Sequence, residues 1–190
     1  MKINIIVGST RQGRATPKVA AWVKSVAGEV LSGADVEVVD LVDYPLPFFD
    51  EAVSPQYNPE RKPAGVVKKW LDKMAEADGY VFVTPEYNRS YSAVLKNAID
   101  YFDFQIAKKP VALVAHGSTG GAQAVSHLRG VIAGAQAVSV PPATFITGTA
   151  GQLFDDEGKV TGDIGYGDHA LRNTLETLGW YAEALAAARS

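Results

Sequence analysis

The chain has 190 residues, of which 47% are hydrophobic and 21% charged, a composition typical of globular rather than disordered proteins. A formal net charge of -3 and the absence of a Lys/Arg run argue against nucleic acid or an anionic membrane as a partner. The chain has no cysteine, which excludes disulfides, thiolate metal ligands and cysteine nucleophiles.

The first residues show no pattern typical of export or membrane insertion. An apolar run from Ile3 to Val7 follows the start directly, whereas a secretion signal has a basic start and a longer apolar region. The sequence contains no stretch of about 18 apolar residues that could span a bilayer. We therefore expect a cytoplasmic protein, and the length predicts a single domain, residues 1–190.

Five short runs rich in β-branched residues are predicted to be strands, and they alternate with segments of helical periodicity. The predicted strands are residues 3–7, 36–41, 79–84, 111–115 and, more weakly, 137–140. The first and the fourth are apolar almost throughout, which is typical of strands covered on both faces. The predicted helices lie at about 19–31, 66–74, 91–102, 121–132 and 168–188.

This alternation indicates an α/β fold, a flavodoxin-like three-layer sandwich. Its five-stranded parallel sheet has the order 2-1-3-4-5, with helices on both faces. Two long loops remain, residues 43–59 and 141–168, and loops of this length are usually functional. Ligands of such sheets bind beyond the carboxyl ends of the strands, where the strand order reverses, here between strands 1 and 3. The loops after strands 1, 3 and 4 are therefore the expected site.

The loop after strand 1, residues 8–17, has the chemistry of a phosphate site. It runs into a helix, whose first N–H groups and positive dipole end favour an anion. Thr16 is predicted to cap this helix, and Pro17 to lie in its first turn. The candidate phosphate ligands are the hydroxyls of Ser9, Thr10 and Thr16 and the guanidinium of Arg11, with Arg14 as a second phosphate partner or a dinucleotide contact.

The loops after strands 3 and 4 are predicted to hold a flat heterocycle. Residues 84–91 combine an aromatic ring with hydrogen-bonding groups, and we expect the backbone N–H groups after Pro85 to be free to face a ligand. Residues 116–122 are rich in glycine, which lets a backbone approach a planar ligand closely. Together these loops would supply hydrogen bonds along one edge of the ring and a surface against its face.

Each loop also has a purely structural explanation. The first could be a plain turn with surface arginines, and its glycine spacing matches neither G-x-G-x-x-G nor G-x-x-x-x-G-K-S/T, which disfavours Rossmann and P-loop sites. Ser90 or Ser92 could cap the third helix. The glycines of residues 117–121 could serve only to adopt positive φ, and His116 could be a hydrogen-bonded residue at a strand end.

These segments, in this order and spacing, resemble the NAD(P)H-dependent FMN reductase family, which includes quinone, azo and chromate reductases. The resemblance covers residues 3 to about 135. It rests on Gly-Ser-Thr-Arg-x-Gly-Arg at 8–14, Thr-Pro-Glu-Tyr-Asn-x-Ser at 84–90, Leu-Lys-Asn-Ala-Ile-Asp-Tyr at 95–101 and Gly-Ser-Thr-Gly-Gly at 117–121. It implies a flavodoxin-like fold with non-covalent FMN, NADPH or NADH as electron donor, and a homodimer or a dimer-of-dimers homotetramer.

The resemblance also implies which residues bind FMN, in three groups. The phosphate would be held by Ser9, Arg11 and Thr16, with Arg14 as an additional ligand. The isoalloxazine and ribityl region would be lined by Pro85, Glu86, Tyr87, Asn88 and Ser90, and the other edge of the ring by His116, Gly117, Ser118, Gly120 and Gly121. Residues 95–101 would form part of the subunit contact. They could also be a plain amphipathic helix that faces its own sheet, and the two roles are compatible on different faces of the helix.

The implied activity is electron transfer from NAD(P)H through FMN to a small acceptor such as free flavin, a quinone, an azo compound or a metal oxyanion. Because the cofactor performs the hydride chemistry, we expect no catalytic side chain. His116 and Tyr87 are the candidates for proton delivery. His116 departs from the family, in which a small or aromatic residue is expected at this place.

Two other functions are compatible with the sequence. A flavodoxin-type electron carrier would bind FMN without oxidising NAD(P)H, although such carriers are more acidic and have hydroxyl-rich phosphate loops. A nucleotide- or deoxyribose-processing enzyme would need a carboxylate nucleophile, for which Glu86 is the candidate. No metal site is expected, because His116, His127 and His169 lack ligand spacing and residues 155–158 have the pattern of a solvated turn.

Overall fold

The five predicted strands form one sheet in the computed structural model, which describes residues 1–189. The strands are β1 Lys2–Val7, β2 Asp35–Asp40, β3 Gly79–Pro85, β4 Pro110–Gly117 and β5 Val138–Thr147. All neighbouring pairs are parallel, and the order β2-β1-β3-β4-β5 confirms the predicted one. Ser190, the last residue of the predicted domain, lies outside the described residues.

Helices connect the strands, as the periodicity predicted. They are α1 Thr16–Val30, α2 Gly65–Ala75, α3 Ala93–Asp100, α4 Ala122–Gly134, α5 Ala150–Leu153 and α6 Gly167–Arg189. Two one-turn 3-10 helices, Leu41–Asp43 and Pro55–Tyr57, lie in the long connection between β2 and α2. None of the helices within residues 1–189 is both long enough and apolar enough to cross a membrane.

The helices form two layers, one on each face of the sheet. One buried cluster joins α2, α3 and α4 to the sheet, and a second joins α1 and α6 to its other face. Neighbouring residues of β1 serve both clusters, since Ile6 packs in the first while Ile5 and Val7 pack in the second. This explains why residues 3–7 are apolar except for the buried Asn4, because successive side chains of a strand point to opposite faces.

The fifth strand is longer than its sequence pattern predicted. The run 137–140 is followed by Pro141 and Pro142, and the sequence analysis placed residues 141–168 in a loop. That prediction was wrong for residues 141–147, because β5 continues to Thr147 after an irregularity in its pairing with β4. Prolines are tolerated here because β5 lies at the edge of the sheet and a register shift absorbs the missing N–H groups.

Helix α3 faces its own sheet and holds the long connection after β2. Leu95 and Ala98 are fully buried in the core. The side-chain amide of Asn97 donates to the carbonyl of Pro47 at 2.7 Å and accepts from the backbone N–H of Phe49 at 2.8 Å. This confirms the structural explanation of the 95–101 motif, and it accounts for the asparagine as the anchor of a loop.

Candidate functional site

The loops after β1 and β3 meet through a buried serine. The hydroxyl of Ser9, which is 1% exposed, lies 3.0 Å from the hydroxyl of Tyr87. It also accepts the backbone N–H of Arg11 at 3.4 Å. The exposed guanidinium of Arg11 lies 5.9 Å from the centre of the Tyr87 ring. The structure therefore brings Ser9, Arg11 and Tyr87 together at the carboxyl end of the sheet, between β1 and β3, where the strand order reverses.

The backbone of the first loop presents several free donors. Within residues 1–189, no protein acceptor receives the N–H groups of Thr10, Gln12, Gly13, Ala15 and Thr16. Helix α1 begins directly after them and has no side-chain cap, so the positive end of its dipole is added to these donors. Clustered backbone N–H groups of this kind bind anions, and phosphate above all.

The prediction that Thr16 caps α1 was wrong. Ala15 precedes the helix, and Thr16 is its first residue. The Thr16 hydroxyl, which is fully buried, instead lies 3.0 Å from Nε2 of His116 at the end of β4. Burial lowers the pKa of His116 from 6.5 to about 4, because the charged ring would lack the water that stabilises it in solution. The ring is therefore neutral at neutral pH. The imidazole of His116 is therefore hydrogen-bonded to Thr16 at the end of the first loop, and not to a residue of the loops after β3 and β4.

Arg14 has a carboxylate partner that the sequence analysis missed. Its guanidinium makes two hydrogen bonds to Asp40, of 2.6 and 2.7 Å, and a third to the carbonyl of Ser9. Both side chains are largely buried, with 16% and 23% of their surface exposed. Asp40 is the last residue of β2, the strand next to β1. An acidic residue at the end of that strand was the sequence feature that could have predicted a partner for Arg14. Arg14 therefore stabilises the first loop by linking the carbonyl of Ser9 to the carboxylate of Asp40.

The loop after β3 is a two-residue hairpin turn. The backbones of Tyr87 and Ser90 exchange hydrogen bonds of 2.8 and 3.0 Å across it. The two central residues, Asn88 and Arg89, have φ of 48° and 70°, as in a type I′ turn. The expectation of free N–H groups after Pro85 holds only at these two residues, because Glu86, Tyr87 and Ser90 all donate to carbonyls.

Glu86 follows β3, and its side chain hydrogen-bonds to the start of α4. Its carboxylate accepts the N–H of Gln123 at 3.0 Å and the hydroxyl of Thr119 at 3.2 Å, so it caps that helix. A carboxylate held in this way is poorly placed as a nucleophile, which weakens the nucleotide-processing alternative. A polar pocket of about 390 Å³ opens beside it, lined by Glu86, Asn88, Arg89, Ser118 and Thr119.

The two candidate caps of α3 have different roles. Ser92 precedes α3 and accepts the N–H of Leu95 at 3.3 Å, so it is the cap. The hydroxyl of Ser90 lies 3.0 Å from Nδ1 of His127 on α4. The turn after β3 is thereby tied to the helix that follows β4.

The glycines after β4 are required by the backbone. Gly120 and Gly121 have φ of +83° and +86°. A Cβ atom at Gly121 would lie 2.5 Å from the Cβ of Ala115, and one at Gly117 would lie 3.3 Å from that of Glu86. The need for positive φ is therefore confirmed for Gly120 and Gly121, whereas Gly117 has no positive φ. The lack of side chains leaves an open surface beside the exposed Ser118.

Several known proteins are similar to this chain in sequence. The sequence profile of a family described as NADPH-dependent FMN reductase matches residues 1–152. An NAD(P)H-dependent FMN reductase of Schizosaccharomyces pombe is 41% identical over 130 residues, which are 68% of this chain and 64% of that protein. The chain therefore spans slightly less than two thirds of that relative. An FMN-dependent NADPH-azoreductase of Staphylococcus saprophyticus is 33% identical over 162 residues, 82% of each protein.

The fold is also similar to a solved structure over nearly its whole length. FerB, a flavoenzyme NAD(P)H:(acceptor) oxidoreductase from Paracoccus denitrificans, superimposes with a TM-score of 0.71 and 23% identity, covering 96% of this chain and 97% of that one. This likeness supports the flavodoxin-like fold. Because the family profile matches 152 of the 190 residues, including all three loops of the site, the chain belongs to the NADPH-dependent FMN reductase family.

Proposed function

We propose that the protein binds FMN without a covalent bond and passes electrons from NADPH or NADH through it to a small acceptor. One observation carries the proposal: the free N–H groups between Thr10 and Thr16 form an anion site where the strand order reverses. The membership of the family supports it, as do the names of the relatives.

Each of the three loops is assigned a part of FMN. We assign the phosphate to Ser9, Arg11 and Thr16 and to the free backbone donors beside them. Arg14 would act on the phosphate through the carbonyl of Ser9, since its guanidinium is occupied by Asp40. We assign the isoalloxazine and ribityl region to Pro85, Glu86, Tyr87, Asn88 and Ser90, and the other edge of the ring to His116, Gly117, Ser118, Gly120 and Gly121. Of these, Tyr87 also reaches the phosphate side and His116 acts through Thr16.

The protein's own part in the reaction is to bind and to orient. FMN, when bound, would supply the hydride chemistry between the nicotinamide and the acceptor. No side chain of the site is needed as a nucleophile. Because His116 is buried and its pKa lies near 4, it holds no proton to deliver at neutral pH. Donor and acceptor would use the same face of the ring in turn, so we expect parallel initial-rate lines, the mark of a ping-pong mechanism.

An anaerobic spectral titration tests this function. Purified protein is mixed with FMN, freed of excess flavin, and treated with NADPH while the visible absorbance is followed. Retention of FMN and rapid bleaching are expected. Retention without bleaching would instead support a flavodoxin-type carrier, and failure to retain FMN would contradict the whole proposal.

We propose further that the protein is a single domain of residues 1–190 that works in the cytoplasm as a homodimer or a dimer-of-dimers homotetramer. The location follows from the donor, a coenzyme of the cell interior. Exposed aromatic side chains support self-association, notably Phe48 and Tyr57, which are 84% and 79% exposed. Free flavin, quinones, azo compounds and metal oxyanions are the candidate acceptors. Sedimentation analysis of the FMN-loaded protein measures the oligomeric state.

A further inference from the structure

Arg89 adopts a backbone conformation that an arginine does not favour. It is the second central residue of the type I′ turn after β3, with φ of 70°. Asn88 has φ of 48°, a region that asparagine tolerates better than most residues. At Arg89 the turn favours glycine, which pays no penalty for positive φ. An arginine in this conformation is a candidate for a functional side chain, and its surroundings decide whether it has a role.

The turn is held firmly enough to maintain this conformation. Two backbone hydrogen bonds between Tyr87 and Ser90, of 2.8 and 3.0 Å, close it. Side chains tie both ends to neighbouring elements, since Tyr87 contacts Ser9 at 3.0 Å and Ser90 contacts His127 at 3.0 Å. The position of Arg89 is therefore imposed by the site around it.

The guanidinium of Arg89 has no partner within residues 1–189. Each of the other six arginines of the chain contacts a carboxylate, a carbonyl or an aromatic ring: Arg11, Arg14, Arg61, Arg129, Arg172 and Arg189. Arg89 is exposed and lines the polar pocket of about 390 Å³. Glu86, the acid of that pocket, is engaged with Thr119 and the start of α4. Neither Glu86 nor any other carboxylate within residues 1–189 forms an ion pair with Arg89, so its guanidinium is available to a ligand in this pocket.

We propose that Arg89 binds a phosphate group of the nicotinamide dinucleotide that donates electrons, and that it thereby sets part of the donor affinity. The proposal rests on the proposed function. The planar guanidinium offers paired donors that match a phosphate in a bidentate manner. The FMN phosphate would fill the first loop, whereas Arg89 lies on the turn after β3 and remains free for a second anionic ligand. The phosphate in question is either the 2′-phosphate of NADPH or the pyrophosphate that NADPH and NADH share.

The test compares three donors on FMN-loaded protein by anaerobic stopped-flow. They are NADPH, NADH and 1-benzyl-1,4-dihydronicotinamide, which carries no phosphate. Arg89→Gly is the variant, because glycine suits the turn and the fold is kept. Lys24→Ala, an exposed residue of α1, removes one positive charge elsewhere as the matched control.

We expect Arg89→Gly to raise the apparent Kd for NADPH about tenfold relative to that for the phosphate-free donor, and Lys24→Ala to leave that ratio unchanged. A loss confined to NADPH identifies the 2′-phosphate, and an equal loss with NADH identifies the pyrophosphate. The melting temperature of Arg89→Gly should rise, since strain is relieved. An unchanged ratio, or an equal loss with all three donors, would overturn the inference. Failure of wild-type protein to be bleached by any donor would refute the proposed function instead.

Discussion

The hydroxyl of Thr16 lies 3.0 Å from Nε2 of His116, and this contact joins the start of α1 to the end of β4. The two residues are 100 positions apart, and both are buried. A buried hydroxyl that loses its partner costs about 1–3 kcal/mol. Through this contact, β4 supports the loop that we assign to the FMN phosphate.

His116 makes the stability of the fold depend on pH. Its pKa is lowered from 6.5 to about 4, so between these values an unfolded chain takes up a proton that the folded chain refuses. Stability should be constant above about pH 6.5 and fall toward pH 4, by about 3 kcal/mol in total for a shift of this size. Urea unfolding at pH 7 and pH 5 measures the loss.

The variant His116→Gln tests the assignment of this pH dependence. Glutamine keeps a hydrogen-bonding group for Thr16 but does not titrate, so the difference between pH 7 and pH 5 should shrink. An undiminished difference in this variant would show that another group is responsible.

Asp40 should contribute to the binding affinity for FMN but not to that for riboflavin. Asp40→Ala removes the carboxylate that holds Arg14 against the carbonyl of Ser9, and the first loop is then less well ordered. We expect FMN affinity to fall about tenfold, or ~1.4 kcal/mol. Riboflavin lacks the phosphate, so its affinity should stay the same. Fluorescence titration with each flavin makes the comparison, and equal losses would show a general disturbance of the site.

Arg11 should contribute a salt-dependent part of the FMN affinity. Its guanidinium is exposed, so its attraction for a phosphate is screened by ions. Arg11→Ala should weaken FMN binding about tenfold at low salt and by less at high salt. The control is Arg172→Ala, which removes a surface arginine that pairs with Glu29. Full FMN affinity in Arg11→Ala, measured by titration at both salt concentrations, would contradict the assignment of the phosphate.

Gly121 should not tolerate a side chain. An alanine there would combine positive φ with a Cβ atom 2.5 Å from that of Ala115, so Gly121→Ala should destabilise the fold by about 2 kcal/mol or more. Gly130 lies within α4, the helix that Gly121 precedes, with open space around it, and Gly130→Ala should stabilise by about 0.5–1 kcal/mol. Thermal unfolding of both variants gives the comparison. A neutral Gly121→Ala would mean that the loop after β4 can rearrange.

The sequence by itself determined the architecture and the location of the site. Ile5 and Ile6 pack on opposite faces of β1, so a run of residues that is apolar apart from Asn4 already indicates a strand between two helical layers. The alternation of such runs with helical segments restricts the topology to few possibilities. The unusual loops after β1, β3 and β4 then follow from where a parallel sheet binds its ligands.

Only the tertiary structure decided which polar groups meet. Arg14 hydrogen-bonds to Asp40, which lies 26 positions away in the sequence. Thr16 hydrogen-bonds to His116, and the carboxylate of Glu86 caps α4. Periodicity assigns a residue to a face of its own element, but a hydrogen bond depends on where two separate elements end in space. The extension of β5 past Pro141 was hidden for a similar reason, because a proline is acceptable there only at the edge of the sheet.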